Sequence, residues 1–432
     1  MLILISFNLK ILKNFLFILI SCCSVSAQTI NFDAKGLIYL QDSDFGSFSY
    51  TTKKIDKAGL DKMGAFMFPL QYEDSYNNSE QTVSNSVMDN FKSIALKSDN
   101  RLCYVLESKG PLKKDEKAAS FSGLPDGGYV SVIDISNLRN LKPDYRFPVA
   151  LNPKAIALSK NNEYLAVASE GYNQELQIFE LNEFGKPIRV IAKPSQMANG
   201  AVSDVIWHPK EDYLVYIKQD TKEIGLVKII KDGPTQKIIR LEQSGSTIKL
   251  DGLPKTGLFT NNGKYFLVLD THNPISPEAA NGQVFVIKFN LEDQGSHSLI
   301  SKAFVEENPT AMTINPEGNS VLVTNAKKSF EYPINERTTG KSSLSVLDLS
   351  PDGTLTNKNN LLLNGILPSG LSFDKTGKNF AISYFQYLDF GKPSAGIDFY
   401  KFSAGLNPKV EKQASRINTS KGIHFLKVIE DF

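Results

Sequence analysis

A phrase of two apolar strands joined by a tight polar turn recurs six times in the 432 residues, and it predicts an all-β fold, a seven-bladed β-propeller of four-stranded blades. In one copy the strand 153–158 is followed by the turn 159–162 and by the strand 164–168. The copies lie roughly 50 residues apart, which leaves room for further strands in each unit. An open sandwich or two separate domains is the alternative architecture.

Each copy has the same internal order. The turns, such as 98–100, 261–263 and 375–377, are rich in Asn, Asp, Gly or Lys, which supply the positive φ angles that a reversal between two strands needs. The second strands, such as 265–269, are rich in aromatic and β-branched residues. The six inner strands are expected to begin at Lys92, Lys154, Ser203, Lys255, Thr310 and Ser369.

A seventh inner strand, 420–425, matches 368–373 but lies close to the end of the sequence. We predict that its partner strands come from the beginning of the chain, with 36–40 as the second strand and 47–51 as the third. A blade made from both termini would close the ring and leave no open sheet edge. The polar segment 72–89 is expected to be a long loop before the first complete blade.

Residues 1–27 have the features of a signal peptide, with Lys10 and Lys13, the apolar run 15–20, and small residues at 25–27. We therefore expect a signal peptide at 1–27, a single propeller domain at 28–432, and export to the periplasm or beyond. The alternative is a lipoprotein signal, in which Cys22 would be lipidated. The apolar run is too short to span a bilayer, so no transmembrane segment is predicted.

Composition excludes some partners. The chain has 48 Lys and Arg against 46 Asp and Glu, so there is no basic excess that would favour binding to nucleic acid. Once residues 1–27 are removed, Cys103 is the one cysteine left in the sequence, so no internal disulfide is expected.

Several long loops are expected on one face of the propeller, which we call the long-loop face. They are 108–127, 271–282, 326–342, 385–396 and the segment 72–89. The loops that enter the inner strands and those that join second to third strands share this face. Extra loop length on one face is where repeat proteins build binding surfaces.

Two sets of equivalent residues are expected to point into the central funnel from the long-loop face. The junctions before the inner strands are Lys92, Lys154, Ser203, Lys255, Thr310, Ser369 and Lys421. The second strands end at Glu107, Ser169, Lys218, Asp270, Asn325, Tyr384 and Gln41–Asp42. Four lysines around one axis would attract a small anionic molecule, although lysines at such junctions are often simply solvated.

These sets give the candidate site residues. The predicted ligand-binding residues are Lys92, Lys154, Lys255, Lys421, Arg337, Asn325 and Tyr384. The predicted catalytic residues are His272, Asp270 and Glu107, because imidazole and carboxylate groups can act as general bases. The carboxylates could also bind a divalent cation, although the sequence shows no metal-ligand spacing.

The repeated phrase resembles the YVTN-type repeat, which segment 257–268 matches best. Within that superfamily the chain resembles the lactonase-like seven-bladed propellers, the 6-phosphogluconolactonase-like group, over nearly the whole mature sequence. The resemblance implies a ring-opening lactonase, although family members also include cyclases and propellers without a known reaction. No local motif assigns a lactonase's catalytic residues here one by one.

Three functions follow from these features. The first is hydrolysis of a sugar-type or other carboxylate lactone in the funnel. The second is a non-catalytic binding propeller at the cell envelope that grips a protein partner with its long-loop face. That face would then show an exposed apolar patch, formed by Phe330, Tyr332, Phe385, Tyr387 and Phe390. The third is a subunit of a periplasmic redox complex, which the lack of a cofactor motif disfavours.

Overall fold

The computed structural model shows seven four-stranded antiparallel sheets arranged as a ring, so the predicted seven-bladed propeller is confirmed. The structure describes residues 30–44, 55, 59–70, 79–84, 92–112, 120–209, 212–271, 281–291, 296–330, 341–387 and 394–430. In this part of the chain no helix is long and apolar enough to cross a membrane.

The strands follow one another blade by blade. The first three strands are β1 Gly36–Gln41, β2 Lys62–Met67 and β3 Ser79–Thr82. Blade 1 holds β4 Ile94–Leu96, β5 Leu102–Leu106, β6 Tyr129–Asp134 and β7 Lys142–Pro148, with a 3-10 turn at Phe121–Gly123. Blade 2 holds β8 Pro153–Leu158, β9 Tyr164–Ser169, β10 Leu176–Leu181 and β11 Pro187–Ala192. Blade 3 holds β12 Asp204–Trp207, β13 Tyr213–Lys218, β14 Glu223–Lys231 and β15 Ile238–Lys249. Blade 4 holds β16 Pro254–Phe259, β17 Phe266–Asp270, β18 Asn281–Lys288 and β19 Ser298–Glu307. Blade 5 holds β20 Pro309–Ile314, β21 Ser320–Asn325, β22 Ser342–Leu349 and β23 Leu355–Leu363. Blade 6 holds β24 Gly365–Phe373, β25 Asn379–Tyr387, β26 Ala395–Ser403 and β27 Lys409–Thr419. The last strand is β28 Ile423–Ile429.

Blade 7 is made from both ends of the chain, as predicted. Its strand order is β28-β1-β2-β3, so the C-terminal strand is innermost and pairs antiparallel with β1. The third strand is β2, whereas 47–51, the segment predicted for it, lies outside the described residues. The segment 72–89 is not a plain loop, because β3 within it forms the outer strand of the blade.

The turns between first and second strands have the backbone that their composition predicts. The fourth turn residue has a positive φ in the five complete blades whose turns the structure describes in full. These residues are Asn100, Asn162, Gly263, Gly318 and Gly377, with φ values of 55°, 61°, 73°, 75° and 67°.

The core lies between neighbouring blades. In β9, Leu165 and Val167 pack against blade 1, whereas Tyr164, Ala166 and Ala168 pack against blade 3. Successive strand residues point to opposite faces of a sheet, so each blade buries apolar side chains on both sides. This explains why the second strands are apolar throughout rather than alternating.

Candidate functional site

The junction residues predicted to ring the funnel are mostly bulged residues at the start of an inner strand. In blades 2, 4, 5 and 6 the register skips one residue, which is Lys154, Lys255, Thr310 or Ser369. In blade 7 the skipped residue is Phe425, because Leu426 pairs with Tyr39 and His424 pairs with Leu40. Lys421 therefore lies outside this ring, and the predicted alignment of the last blade is wrong by four residues.

Lys92 reaches across the central channel. Its Nζ atom donates to Asp204 Oδ2 of blade 3 at 2.9 Å and to the carbonyl oxygen of Gly257 in blade 4 at 2.7 Å. The same Asp204 oxygen accepts hydrogen bonds from Thr256 Oγ1 at 2.8 Å and from the amide of Gly257 at 3.1 Å. The pKa of Lys92 is lowered by burial, and the Asp204 carboxylate acts in the opposite direction. Sequence reasoning found Lys92 but missed Asp204.

The other three lysines lie differently. Lys154 forms an ion pair with Glu170 at 2.7 Å, with both side chains partly exposed. Lys255 is half-buried at the start of β16. The Lys421 side chain is exposed, and its carbonyl oxygen accepts a hydrogen bond from Gln41 Nε2 at 3.0 Å.

A central cavity of about 290 Å³ lies between the inner strands of blades 1 and 3 to 7. Lys92 and Lys427 are the charged residues among those that line it in the described part of the chain. The Lys427 side chain is accessible to water although protein surrounds it, as expected for a group inside a channel. Its pKa is lowered by burial first and then by the nearby Lys92 ammonium, with Asp204 acting in the opposite direction.

The ends of the second strands hold the crossover loops between blades. Gln41 Nε2 donates to Ser420 Oγ at 2.7 Å, just before β28. Lys218 donates to the carbonyl oxygens of Ala198 and Asn199, just before β12, and burial lowers its pKa. All three contacts tie an incoming loop to the blade that it enters.

Two glycines in the crossover loops leave room for buried side chains at the ends of the second strands. A Cβ atom at Gly252 would lie 2.0 Å from Asp270 Oδ1, and one at Gly365 would lie 2.0 Å from Tyr384 Cδ1. Asp270 and Tyr384 have no solvent exposure, and Tyr384 shares a hydrogen bond of 2.9 Å with Tyr400 between the two hydroxyl groups. These side chains pack under the loops rather than pointing into the funnel.

Glu107 and Asn325 are buried as well. Glu107 Oε2 lies 3.8 Å from Arg146 Nη2, on the outer strand of the same blade. Asn325 donates to Ser345 Oγ at 3.0 Å and to Ser343 Oγ at 3.2 Å. The catalytic roles of Glu107 and Asp270 stay predictions. His272 and Arg337 lie outside the described residues.

An acidic cluster follows β1. Oxygen atoms of Asp42, Asp44 and Asp61 lie within 4.8 Å of one another, and all three residues are buried. Burial, followed by the charges of Asp42 and Asp61, raises the pKa of Asp44 to about 9. Three buried carboxylates in this arrangement could hold a divalent cation, because hard cations prefer oxygen ligands.

The predicted apolar patch is not exposed where the structure describes it. Phe385 and Tyr387 belong to β25 and are buried, and Phe385 packs with Ala326, Ile366 and Leu367. Phe330 is partly buried against the same cluster, whereas Tyr332 and Phe390 lie outside the described residues. The stretch that was expected to dock a partner extends a strand and closes a small core.

No protein-family profile matches the sequence, and no curated protein matches it. Solved structures, however, are similar to this chain over most of its length. The chain is similar to the periplasmic gluconolactonase of Pseudomonas aeruginosa, with 14% identity, a TM-score of 0.59, and coverage of 91% of this chain and 99% of that one. It is also similar to a Bacteroides uniformis protein whose proposed activity is 6-phosphogluconolactonase, with 14% identity, a TM-score of 0.58, and coverage of 91% and 100%.

A third similar structure is a hypothetical selenium-binding protein of Sulfolobus tokodaii, with 9% identity, a TM-score of 0.59, and coverage of 92% and 94%. At these identities the likeness establishes the fold, a seven-bladed β-propeller. It does not transfer a reaction or a set of catalytic residues.

Proposed function

We propose that this chain hydrolyses a lactone of a sugar-type acid at the end of the central channel that opens on the long-loop face. Lys92 carries the proposal, because its ammonium group stands inside the channel at the wall of a cavity of about 290 Å³. Two propellers of the same fold bear a gluconolactonase or 6-phosphogluconolactonase description, so lactone rings are the first substrates to test.

The chemistry needs a cation and a base. Water adds to the lactone carbonyl carbon, the bond from that carbon to the ring oxygen breaks, and the ring oxygen takes a proton to give the hydroxy acid. Negative charge develops on the carbonyl oxygen, where a fixed positive donor lowers the barrier. We assign this role to Lys92. Asp204, a buried carboxylate next to the cavity, orients Lys92 through their ion pair, and we assign to it the acceptance of the proton from the attacking water.

The test is hydrolysis of a panel of aldonolactones by residues 28–432. Lys92→Met should lower turnover by about 10²-fold or more, the usual effect of removing one oxyanion donor. Asp204→Asn should lower it by about 10²-fold or more as well, the usual effect of removing a general base. Lys401→Met, an exposed lysine on β26, should keep full turnover. The proposal would be overturned if the folded protein hydrolysed none of these lactones faster than buffer alone does.

A divalent cation and export complete the proposal. We place the cation at Asp42, Asp44 and Asp61, so EDTA should lower turnover and Ca²⁺ should restore it in the wild type but not in Asp44→Asn. Turnover that is indifferent to EDTA would remove the cation from the reaction. Residues 1–27 are proposed to direct export, and the mass of the secreted chain would show whether it begins at Gln28 or at a lipidated Cys22.

The second candidate is a non-catalytic binding propeller at the cell envelope. It is favoured by the burial of Glu107, Asp270 and Asp204, because each of these carboxylates is largely closed to the water that a general base must activate. Saturable binding of an aldonate without turnover of its lactone would select this candidate.

A further inference from the structure

Lys427 is a charged residue at an inner-strand position that is apolar or glycine in the other blades. It lies two residues after the bulged residue Phe425, as Gly257 lies two residues after the bulged residue Lys255. Position by position, the equivalents in blades 5 and 6 are Met312 and Leu371. Packing alone would favour an apolar residue at this position, so the lysine points to a role for its charge.

Lys92 and Lys427 both line the central cavity, and the charge of one acts on the other. Lys92 Nζ binds the carbonyl oxygen of Gly257, which is at the same level of the ring as Lys427. The described residues give Lys427 no ion pair, since Asp204 is bound to Lys92.

The charges at the cavity do not cancel. Among the described residues, Lys92 and Lys427 are accompanied by the single carboxylate of Asp204, which leaves one positive charge in excess at the cavity. The surrounding protein and the nearby charge of Lys92 both lower the pKa of Lys427, and a bound anion would offset the repulsion between the two ammonium groups. The Cys103 thiol is the other titratable group that acts on Lys427, and it lies buried in the core between blades 7 and 1.

The cavity suits a small polar ligand. Its volume of about 290 Å³ corresponds to about ten water molecules at about 30 Å³ each. Thr313 and Ser372 line it beside the lysines, together with the apolar residues Ile206, Leu258 and Met312. Such a mixture of a few polar groups with apolar walls is typical of small-molecule sites.

We propose that the central channel binds a small oxyanion, a carboxylate or a phosphate, between the ammonium groups of Lys92 and Lys427. This site rests on the cavity and on its charge, and it does not require that the protein hydrolyse a lactone. Each lysine would donate to one oxygen of the anion, and Asp204 would set the orientation of Lys92 while weakening the site by its own negative charge.

The test is calorimetric titration of the folded chain with sodium gluconate and, separately, with sodium phosphate, at equal ionic strength in sodium chloride. Lys427→Met should weaken binding by about tenfold or more, the usual range for a hydrogen bond to a charged group. Lys427→Arg should keep binding within about threefold of the wild type, since Arg also donates to oxyanions. Lys401→Met, an exposed lysine, should bind as the wild type does.

Asp204→Asn gives the opposite change. It removes the competing negative charge but keeps an oxygen that can accept from Thr256 and Gly257, so oxyanion binding should become tighter. A purely structural role for these residues would weaken binding in both the Lys427 and the Asp204 variants. Tightening in Asp204→Asn and weakening in Lys427→Met therefore identifies a charge effect.

Absence of saturable binding of either anion to the wild type, or equal binding by Lys427→Met, would overturn the proposal. Binding of gluconate in preference to phosphate, or the reverse, supports it and identifies the oxyanion. Gluconate binding with no lactone turnover would overturn the proposed hydrolysis alone. Lactone turnover without any oxyanion binding would overturn the channel site alone.

Discussion

Glu180 ties blade 2 to blade 3. Its carboxylate lies 2.7 Å from Arg189 Nη2 and 2.9 Å from Lys237 Nζ, and Arg189 also donates to the carbonyl oxygen of Ile238 at 2.7 Å. Burial would raise the pKa of Glu180, but the hydrogen bonds from Lys237 and Arg189 outweigh it, so the pKa lies below the ordinary value of 4.5. A carboxyl group with a lowered folded-state pKa stabilises the fold above its unfolded-state pKa.

We therefore expect Glu180→Gln to lower the free energy of unfolding at pH 7 by about 2 kcal/mol, a typical value for hydrogen bonds to a buried charge. The difference from the wild type should shrink as the pH falls below 4.5, because the wild-type carboxylate is then protonated too. Urea unfolding at several pH values measures this, with the exposed Glu183→Gln as the control. A difference that stays constant from pH 7 to pH 3 would show that the charge does not stabilise the interface.

Of the charged residues that the described part of the chain places at or beside the cavity, which are Lys92, Asp204 and Lys427, the sequence identified Lys92. Lys92 was predicted because it belongs to a visible column of junction lysines. Asp204 stands one position further along, in a column whose members in the other five complete blades are small or polar, so its carboxylate gave no distinct signal. Lys427 becomes conspicuous only when the last inner strand is aligned correctly, because it then falls in the column of Ile94, Met312 and Leu371.

Among the elements, the crossover loops explain the polar residues at the ends of the second strands. These side chains pack under the loops and do not line the funnel. Asp270 packs over Gly252 and has no solvent exposure, so the loop backbone and the strand end fit together as one unit. A side chain at Gly252 would have to displace a carboxylate that is closed in on all sides. The sequence showed the polar residues but not the direction of their side chains, which depends on loop paths that no local pattern encodes.

Gly252→Ala should consequently destabilise the protein by about 1–3 kcal/mol, the usual cost of forcing extra volume into a packed site. The added Cβ would lie 2.0 Å from Asp270 Oδ1. Gly233→Ala is the matched control, because nothing lies within 4 Å of a Cβ added there. Equal midpoints of urea unfolding for the two variants would contradict the tight fit of Asp270 against the loop.

The closing strand shows a second limit of sequence patterns. In the six complete blades the turn after the inner strand marks the position of that strand, and five of these turns carry a residue with positive φ. The inner strand β28 pairs with β1 from the other end of the sequence, so no tight turn within the described residues joins the two strands. The match of 420–425 to 368–373 therefore had nothing to fix its alignment, and the true strand begins at Ile423.

For the whole molecule, closure of the ring depends on β28. Its backbone pairs with β1 from Gly36 opposite Ile429 to Gln41 opposite Ile423, and the amide of Lys35 donates to the carbonyl oxygen of Ile429 at 2.8 Å. Every residue of β1 is buried. Without β28, the backbone edge of β1 and the apolar sides of blades 6 and 1 would face solvent, and exposed edges of this kind pair with other chains.

Removal of residues 420–432 should therefore abolish cooperative thermal unfolding of the monomer and yield oligomers in size-exclusion chromatography. Removal of 431–432 alone, beyond the end of β28, should leave both properties unchanged. A synthetic peptide of residues 420–432 added in trans should restore the monomer and its cooperative transition, since the missing strand contributes pairing and not a covalent link. A truncated chain that stays monomeric and melts like the full protein would show that six blades close without the seventh inner strand.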